Sequence, residues 1–395
     1  MASKRGHVHV PHDVIARQRP GSWTPPPDSP EQTPQRQAIL IIRLSTLGDV
    51  ALASAVIDPL RRRYPHARQV WLVYPQAAPL IAGNRALDDV ITVPHEEWGR
   101  LLRRGRWLRL VRECRALIRR LRAGRFGLAL DLQGQWSSAI WARLANAPQR
   151  IGVGPRDGSS VLLNALVERN PTLATPCGEY DPLLWRLGAD RVRSRLGIAP
   201  PPLAREAAEE RLVGANVSRG FVALCPFNAD RRRQWPAERW AALAAHLREQ
   251  TSLPVVLFGG PQDHDAAASI LAAPGGEEIV NWTGATDIGE AAALLGRATL
   301  VIGVDTSLTH IAAGQGRPTV ALFGATRPWR ATQSQPIRVL GQESSDAPSD
   351  QRPTADSIRT SGMEAIAVEE VLTTAYLLLD RRVDGARADM ERRGA

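Results

Sequence analysis

From residue 38 onward, the chain alternates between short uninterrupted apolar runs and longer segments of helical length. The first series of apolar runs comprises residues 39–42, 70–73, 90–93 and 128–130. Short runs without a polar interruption are typical of strands that are buried on both faces of a sheet. Because helix-length segments separate them (the first at residues 50–63), the series predicts a parallel sheet with helices on both faces.

A second series of the same kind begins near residue 221. Its apolar runs are residues 221–224, 255–258, 279–280, 300–302 and 319–323, and the predicted helices between them are residues 237–249, 266–271, 288–295 and 308–313. The chain is therefore predicted to be an α/β protein with two Rossmann-like domains whose parallel sheets face a central cleft. Ligands of such sheets bind at the carboxyl ends of the strands, so the cleft is the expected site.

The division of the chain follows from shifts in composition. Three consecutive prolines at residues 200–202 suit a linker, so we assign residues 38–200 to the first domain and 201–340 to the second. Residues 1–37 are rich in proline and polar side chains, which predicts a disordered leader. Residues 341–395 are predicted to be a C-terminal tail that contains a helix.

Composition limits the class of protein. At 395 residues the chain is too long for one ordinary core. It has neither an apolar run long enough to span a membrane nor an apolar segment at its start that resembles a secretory signal. Three isolated cysteines fit a reducing compartment, so we expect a cytoplasmic protein. The net charge of +10 favours a polyanionic partner, although a genome that prefers arginine to lysine would give the same excess.

The loop at residues 44–49 directly follows the first predicted strand. It lacks the G-x-G-x-x-G pattern of dinucleotide sites. Its last residue, Asp49, could take a proton from an attacking hydroxyl at the cleft. It could also cap the helix predicted to begin at Val50, and the local sequence by itself favours the cap.

Residues 303–310 follow the strand predicted at 300–302 and open a helix. The free amides of a helix start, its positive dipole end and the hydroxyls of Thr306 and Ser307 together suit a diphosphate. His310 would lie one turn inside the helix, on the same side. An ordinary helix cap with a histidine in the core explains the pattern equally well.

Two other loops of the second predicted domain carry charge. Residues 231–233 are three successive arginines, which could clamp a phosphate or form a solvated charge run. Residues 263–265 read Asp-His-Asp after a glycine-rich turn. The acidic pair resembles a divalent-metal site, but at a strand-to-helix turn one carboxylate on ribose hydroxyls is the better interpretation. No cysteine or histidine pair has zinc-ligand spacing, so we expect no metal site.

Residues 100–125 contain 11 arginines and only Glu113 to oppose them. On a predicted helix, one face carries Arg112, Arg115, Arg119 and Arg122, and the other carries Leu110, Cys114, Leu117 and Leu121. A basic amphipathic helix of this kind could lie on anionic lipid. It could also pack its apolar stripe on the sheet, and the two interpretations are compatible.

Taken together, these segments resemble the heptosyltransferase family, the ADP-heptose:lipopolysaccharide transferases with a two-domain GT-B fold. The resemblance runs from about residue 39 to residue 340. It is carried, in this order, by residues 43–50, 130–134, 150–152, 234–236, 259–263, 303–310 and 322–326. Each segment alone is unspecific, but seven in order, most of them at strand ends, form a specific pattern.

The resemblance implies roles for individual residues. Asp49 occupies the position of the family's general base, and Arg233 matches a lysine that reaches the donor phosphate. The segment with Asp305, Thr306 and Ser307 corresponds to the one that holds the donor diphosphate and sugar. His310 lies close by in the same segment.

Two further carry-overs are less specific. Asp263, or Gln262 beside it, falls where the family has an acidic residue on the ribose. Arg156 corresponds to an arginine on the acceptor side.

The resemblance implies an inverting transfer of heptose from a nucleotide-diphosphate donor, ADP-heptose, to the lipopolysaccharide inner core, a lipid-linked saccharide acceptor. No cofactor other than the donor substrate is implied. We expect the protein to lie peripherally on the inner membrane through residues 100–125 and to bind no nucleic acid. A transferase for another sugar or acceptor, a nucleotide-sugar epimerase and a non-catalytic binding protein of the same fold remain alternatives.

Overall fold

The computed structural model describes residues 38–154, 157–168, 178–190, 196–324, 337–341 and 362–393, with side chains up to residue 380. The predicted leader, residues 1–37, lies outside the described residues, as does most of the segment that joins the last strand to the C-terminal helix.

The first half of the chain forms a six-stranded, fully parallel sheet in the order β3-β2-β1-β4-β5-β6. Its strands are β1 (Ala38–Ile42), β2 (Gln69–Val73), β3 (Asp89–Thr92), β4 (Phe126–Asp131), β5 (Gln149–Val153) and β6 (Ala165–Val167). Its helices are α1 (Leu47–Ala53), α2 (Ile57–Arg63), α3 (His95–Arg103), α4 (Trp107–Ala123), α5 (Trp136–Leu144) and α6 (Asp181–Arg186). The four predicted strands are confirmed, and β5 and β6 are additional.

The second half forms another six-stranded parallel sheet, in the order β12-β11-β10-β7-β8-β9. Its strands are β7 (Val222–Cys225), β8 (Val255–Leu257), β9 (Val280–Asn281), β10 (Leu300–Val304), β11 (Thr319–Leu322) and β12 (Ile337–Leu340). Its helices are α7 (Pro202–Gly214), α8 (Ala237–Thr251), α9 (His264–Ala272), α10 (Ile288–Leu295), α11 (Ser307–Gly314) and α12 (Val368–Arg393). The five predicted strands and four predicted helices are present, and β12 is additional.

Both sheets have the same connectivity. When the strands of each half are numbered from one, each order reads 3-2-1-4-5-6, which is that of a dinucleotide-binding Rossmann fold. The α/β fold class with two parallel sheets is thus confirmed. In this topology the chain reverses direction across the sheet between the first and fourth strands, so the ligand crevice is expected after β1 and β4 in one half and after β7 and β10 in the other.

Three local predictions are wrong in detail. The first helix begins at Leu47 rather than at residue 50, and a 3-10 turn (Ser54–Val56) separates it from α2. The arginine-rich segment is two helices, since Gly105 adopts a left-handed conformation (φ 66°) between α3 and α4. Pro202 does not lie in a linker but is the first residue of α7, a position where the backbone amide has no partner within the helix and a proline is therefore tolerated.

The two halves pack directly against each other. Helix α1 of the first half lies on α11 of the second, and α10 packs on the 3-10 turn Ala78–Leu80. One cluster of buried apolar side chains extends through both halves, from Ile39 and Val50 to Phe258 and Ile311. The C-terminal helix α12 packs on α8 of the second half. Among the described helices, none is both long and apolar enough to cross a bilayer.

Candidate active site

A cavity of about 730 Å³ lies between the carboxyl edges of the two sheets. The loop after β1 lines it from the first half. The loops after β7, β8 and β10 and the start of α10 line it from the second half. The cleft predicted from topology therefore exists, and it is large enough for a small-molecule ligand.

Asp49 lies on the first-half wall of this cavity. It stands in the first turn of α1, and its backbone amide donates to Oγ1 of Thr46 at 3.4 Å. Thr46, not Asp49, is therefore the residue that caps the helix, and the local cap interpretation of Asp49 is wrong. The Asp49 carboxylate does not cap the helix. Its side chain is 40% exposed and lines the shared cleft.

Arg43 holds one oxygen of this carboxylate. The Nη2 atom of Arg43 lies 3.1 Å from Oδ1 of Asp49, and its Nη1 donates to the carbonyl of Leu132 at 2.6 Å. Burial lowers the pKa of the Arg43 guanidinium, but the nearby Tyr180, Asp49 and Glu179 side chains outweigh burial and leave the pKa raised. Sequence reasoning did not assign Arg43 to the site, although its place directly after β1 was a usable signal.

The start of α11 forms the facing wall. Thr306 precedes the helix and Ser307 is its first residue, and both line the cavity with His310. The amide of His310 bonds the Thr306 carbonyl at 3.1 Å, so the amides of residues 307–309 precede the first helical bond and have no intrahelical acceptor. The predicted anion-binding helix start is therefore directed at the cavity.

A hydrogen bond joins the two walls. The Gly48 amide donates to Oγ of Ser307 at 3.1 Å, although 259 positions separate the two residues. A methyl group in place of the Gly48 hydrogen would come to 3.4 Å from that hydroxyl and 3.5 Å from the His310 ring. The absence of a side chain at residue 48 thus lets the helix starts approach each other closely, with Asp49 beside the contact.

Asp305, directly after β10, contacts two side chains of the cavity wall. Its Oδ2 lies 3.0 Å from Nη1 of Arg233, and its Oδ1 lies 3.1 Å from Nε2 of His310. The Asp305 side chain is only 14% exposed. Of the three successive arginines, the structure therefore directs Arg233 into the cavity, while Arg232 pairs with Asp230 at 2.8 Å.

Asn228 is a cavity residue that sequence reasoning missed. Its side-chain amide donates to the Asp305 carbonyl, and its own carbonyl accepts from Gln234 at 2.6 Å. It ties the loop that carries Arg233 to the strand end that carries Asp305. Its location after β7, at the point where the sheet changes direction, was the available signal.

Asp263 also lines the cavity, but its carboxylate is used locally. Its Oδ2 accepts from the Gly260 amide at 2.8 Å and from the Gln262 side chain at 3.2 Å. The same carboxylate group has further lone pairs for a ligand. Asp287, which caps α10 by accepting from the Glu290 amide at 2.8 Å, lines the same end of the cavity and was not predicted.

Asp131 is a further residue to which sequence reasoning gave no role. It ends β4 beside Ile42 of β1, and it is fully buried. Burial raises the pKa of Asp131, against the opposing effects of hydrogen bonds from Ser138, Gly134 and Gln133 and of the positive charge of Arg43. It therefore lies behind the cavity wall and not in it.

One predicted residue, Arg156, lies outside the described residues. No group of three or more histidine, cysteine, aspartate or glutamate side chains with metal-site geometry occurs within the described ranges.

The start of the arginine-rich helix α4 lies at the same edge of the first sheet as Asp49. Helix α4 leads directly into β4, so its last residue is at the amino edge of the sheet and its start is at the carboxyl edge. The predicted packing stripe is confirmed at its end, since Leu117 and Leu121 are buried against the sheet. The start is different, because Trp107 and Leu108 are 60% and 68% exposed.

Comparison with known proteins agrees with this arrangement. A sequence-family model described as glycosyltransferase family 9 (heptosyltransferase) matches residues 114–353, a range that contains Arg233 and residues 303–310 and lies C-terminal to Asp49. The chain is 29% identical over 310 residues to lipopolysaccharide heptosyltransferase 2 of Salmonella typhimurium, which covers 73% of this chain and 83% of that protein. It is 27% identical over 308 residues to lipopolysaccharide heptosyltransferase 3 of Escherichia coli, with 71% and 83% covered.

Solved structures show the same fold. A family 9 glycosyl transferase from Veillonella parvula superposes with a TM-score of 0.72 at 21% identity, covering 87% of this chain and 97% of that one. The ADP-heptose lipopolysaccharide heptosyltransferase II of E. coli superposes with a TM-score of 0.67 at 23% identity, covering 88% and 99%.

Proposed function

Because this chain belongs to glycosyltransferase family 9, the heptosyltransferase family, we propose that it transfers a heptose from ADP-heptose to a sugar of the lipopolysaccharide inner core. One observation carries the proposal. A carboxylate of the first half, Asp49, and a phosphate-suited helix start of the second half line one cavity and are joined by the bond from Gly48 to Ser307. The names of the relatives support the choice of sugar and acceptor.

In the proposed reaction, Asp49 accepts the proton of an acceptor hydroxyl as its oxygen attacks the anomeric carbon of the donor. The bond from that carbon to the diphosphate oxygen breaks on the opposite face, which inverts the configuration. The products are the glycosylated acceptor, the nucleoside diphosphate and a proton that Asp49 returns to solvent.

The second half stabilises the leaving group. Negative charge develops on the departing diphosphate, next to the amides at the start of α11 and the hydroxyls of Thr306 and Ser307. Arg233 supplies the positive charge and is held in place by Asp305. Asp263, which also lines the cavity, is assigned to the ribose of the donor.

The test is transfer by purified protein from ADP-heptose to a defined core acceptor, measured as glycosylated product and released ADP. We expect Asp49→Asn to lower kcat by about 10²- to 10⁴-fold, the usual contribution of a general base. The matched control is Asp58→Asn, an exposed aspartate of the next helix, which should stay within about twofold of the wild type.

The same assay separates the alternatives. Conversion of the donor without any acceptor would indicate an epimerase, and tight donor binding without released ADP across an acceptor panel would indicate a binding protein. Turnover of Asp49→Asn close to wild type would remove the base assignment. A core profile of lipopolysaccharide from a strain that lacks the protein tests the acceptor independently.

The start of α4 supports a second element of the proposal, peripheral binding to the cytoplasmic face of the inner membrane. The corner between α3 and α4 exposes Leu102, Trp107, Leu108 and Val111, all at least 40% accessible. Around them, Arg103, Arg104 and Arg106 are exposed and make no ion pair with a described residue. Apolar side chains ringed by arginine suit the interface of an anionic bilayer.

Vesicle flotation tests this surface. We expect binding to vesicles that contain phosphatidylglycerol and none to phosphatidylcholine vesicles. Leu108→Glu should weaken binding by at least about tenfold, because it replaces a leucine that would insert into the bilayer with a carboxylate that anionic lipid repels. The control is Leu203→Glu, at a comparably exposed leucine on α7. Equal loss in both variants would contradict the assignment of the surface.

A further inference from the structure

Arg43 combines a buried position with a charge directed at the cleft. It directly follows β1, and only 5% of its surface is exposed. Its guanidinium bridges two loops, donating to the Leu132 carbonyl after β4 and pairing with Asp49 in α1. The side chain is therefore held by buried contacts next to the first sheet, unlike a solvent-exposed arginine.

The ion pair determines which carboxylate oxygen of Asp49 is available. Oδ1 lies 3.1 Å from Nη2 of Arg43, and within the described ranges no other cation pairs with this carboxylate. Oδ2 is then the oxygen left to accept a proton from a hydroxyl in the cavity. A carboxylate on the first turn of a short helix has several rotamers, and a fixed partner selects one of them.

A buried guanidinium is stable only where other groups offset the loss of water. Near Arg43 lie Glu179 and Tyr180 of the 3-10 turn Gly178–Tyr180. Groups from this turn and from the loop after β4 thus surround the guanidinium, which reaches the cavity through Asp49.

We propose that Arg43 is a positioning residue: it acts on the reaction through Asp49, by fixing the orientation of that carboxylate towards the acceptor hydroxyl. Arg43 does not itself touch the substrate. The inference rests on the proposed base role of Asp49, and it adds that the geometry of the base is set from inside the first sheet.

A double-mutant cycle in the transfer assay tests the proposal. Arg43→Met should lower kcat by about 10- to 100-fold, the effect of misplacing a reacting group by roughly 1 Å, with the KM for the donor little changed. Arg43→Lys keeps the charge and should lose less than Arg43→Met. In an Asp49→Asn background, Arg43→Met should cost less than about twofold, because the group it acts through is already absent. A full loss from Arg43→Met in both backgrounds would overturn the proposal.

Two further measurements separate the role of Arg43 from an effect on folding and from a failure of the proposed function. If Arg43→Met unfolds, the double variant Arg43→Met/Asp131→Asn removes a cation and an anion together and replaces it in the cycle. A crystal structure of the Arg43 variant reads the orientation of Asp49 directly, without turnover. A displaced Asp49 carboxylate supports the proposal even if the donor or acceptor is not the one proposed, and an unmoved carboxylate overturns it.

Discussion

Replacement of Arg233 by methionine removes the positive charge that the second half directs at the leaving diphosphate. The residue stands at the end of a 3-10 turn (Arg231–Arg233) in which the Arg232 amide donates to the Asp230 side chain, and its Nη1 lies 3.0 Å from Asp305. Methionine has similar length and keeps the apolar stem, so the change isolates the guanidinium. Asp305 would keep His310 as its partner.

The size of the effect can be set from exposure. A hydrogen bond to a charged group contributes about 1.5–3 kcal/mol, and removal of a donor aimed at developing charge costs about 2.7–4 kcal/mol in the barrier. The Arg233 side chain is 34% exposed, so solvent screens part of its charge and the lower end applies. At about 1.4–2.8 kcal/mol, kcat/KM for the donor should fall by roughly 10- to 100-fold.

Arg231 provides a matched control within the same turn. It is exposed and makes no ion pair with a described residue, so Arg231→Met removes the same charge two positions away. Initial rates at varied donor concentration should show Arg231→Met within about twofold of wild type. If both variants lose activity equally, the arginines act through their general field, and the reasoning from the Arg233–Asp305 contact is refuted.

Two further substitutions test the cross-cleft bond and the buried acid. Ser307→Ala should lower the free energy of unfolding by about 0.5–1.5 kcal/mol, because the Gly48 amide loses its acceptor. The control is Ser269→Ala, which removes only a hydrogen bond within α9. Urea unfolding measures both variants, and equal losses would contradict the role of the contact between the two halves. Burial raises the pKa of Asp131 above its ordinary 3.8. The folded state therefore binds a proton at this carboxyl more tightly than the unfolded state does, and this contribution to the free energy of unfolding is present below pH 3.8 and is lost as pH rises through the raised pKa. Asp131→Asn should therefore unfold at higher urea than the wild type at pH 7, with the difference closing towards pH 4. A difference that is constant with pH would refute it.

The position of the cleft was predictable from the sequence, because strand ends can be located from apolar runs and parallel strands share a carboxyl edge. The loops that carry Asp49, Arg233, Asp305 and Ser307 were located in this way, whereas the roles of these residues came from the family resemblance. All four line the cavity. β5 was missed because its first two residues are polar and only partly buried, which breaks the apolar run. The strand β6 has only three residues, too few for periodicity.

The contacts between site residues were not predictable. Arg233 and Asp305 are 72 positions apart, and no local pattern pairs one arginine of a triplet with a distant acid. The helix cap, by contrast, was locally encoded. Thr46 precedes Asp49 by three positions, the spacing of a hydroxyl cap with an acid in the first turn, and this pattern assigns the cap to the threonine.

The two halves contribute different groups to one site, so neither half alone contains both the proposed base and the proposed diphosphate site. The base is oriented from the interior of the first sheet, through Arg43, while the diphosphate site is a helix start of the second sheet. Because the Gly48 amide bonds the Ser307 hydroxyl, the helix that carries Asp49 is held by the residue that opens the phosphate site. Any donor contact that moves Ser307 must therefore also act on α1. It follows that donor contacts at Ser307 and the position of the base are mechanically linked.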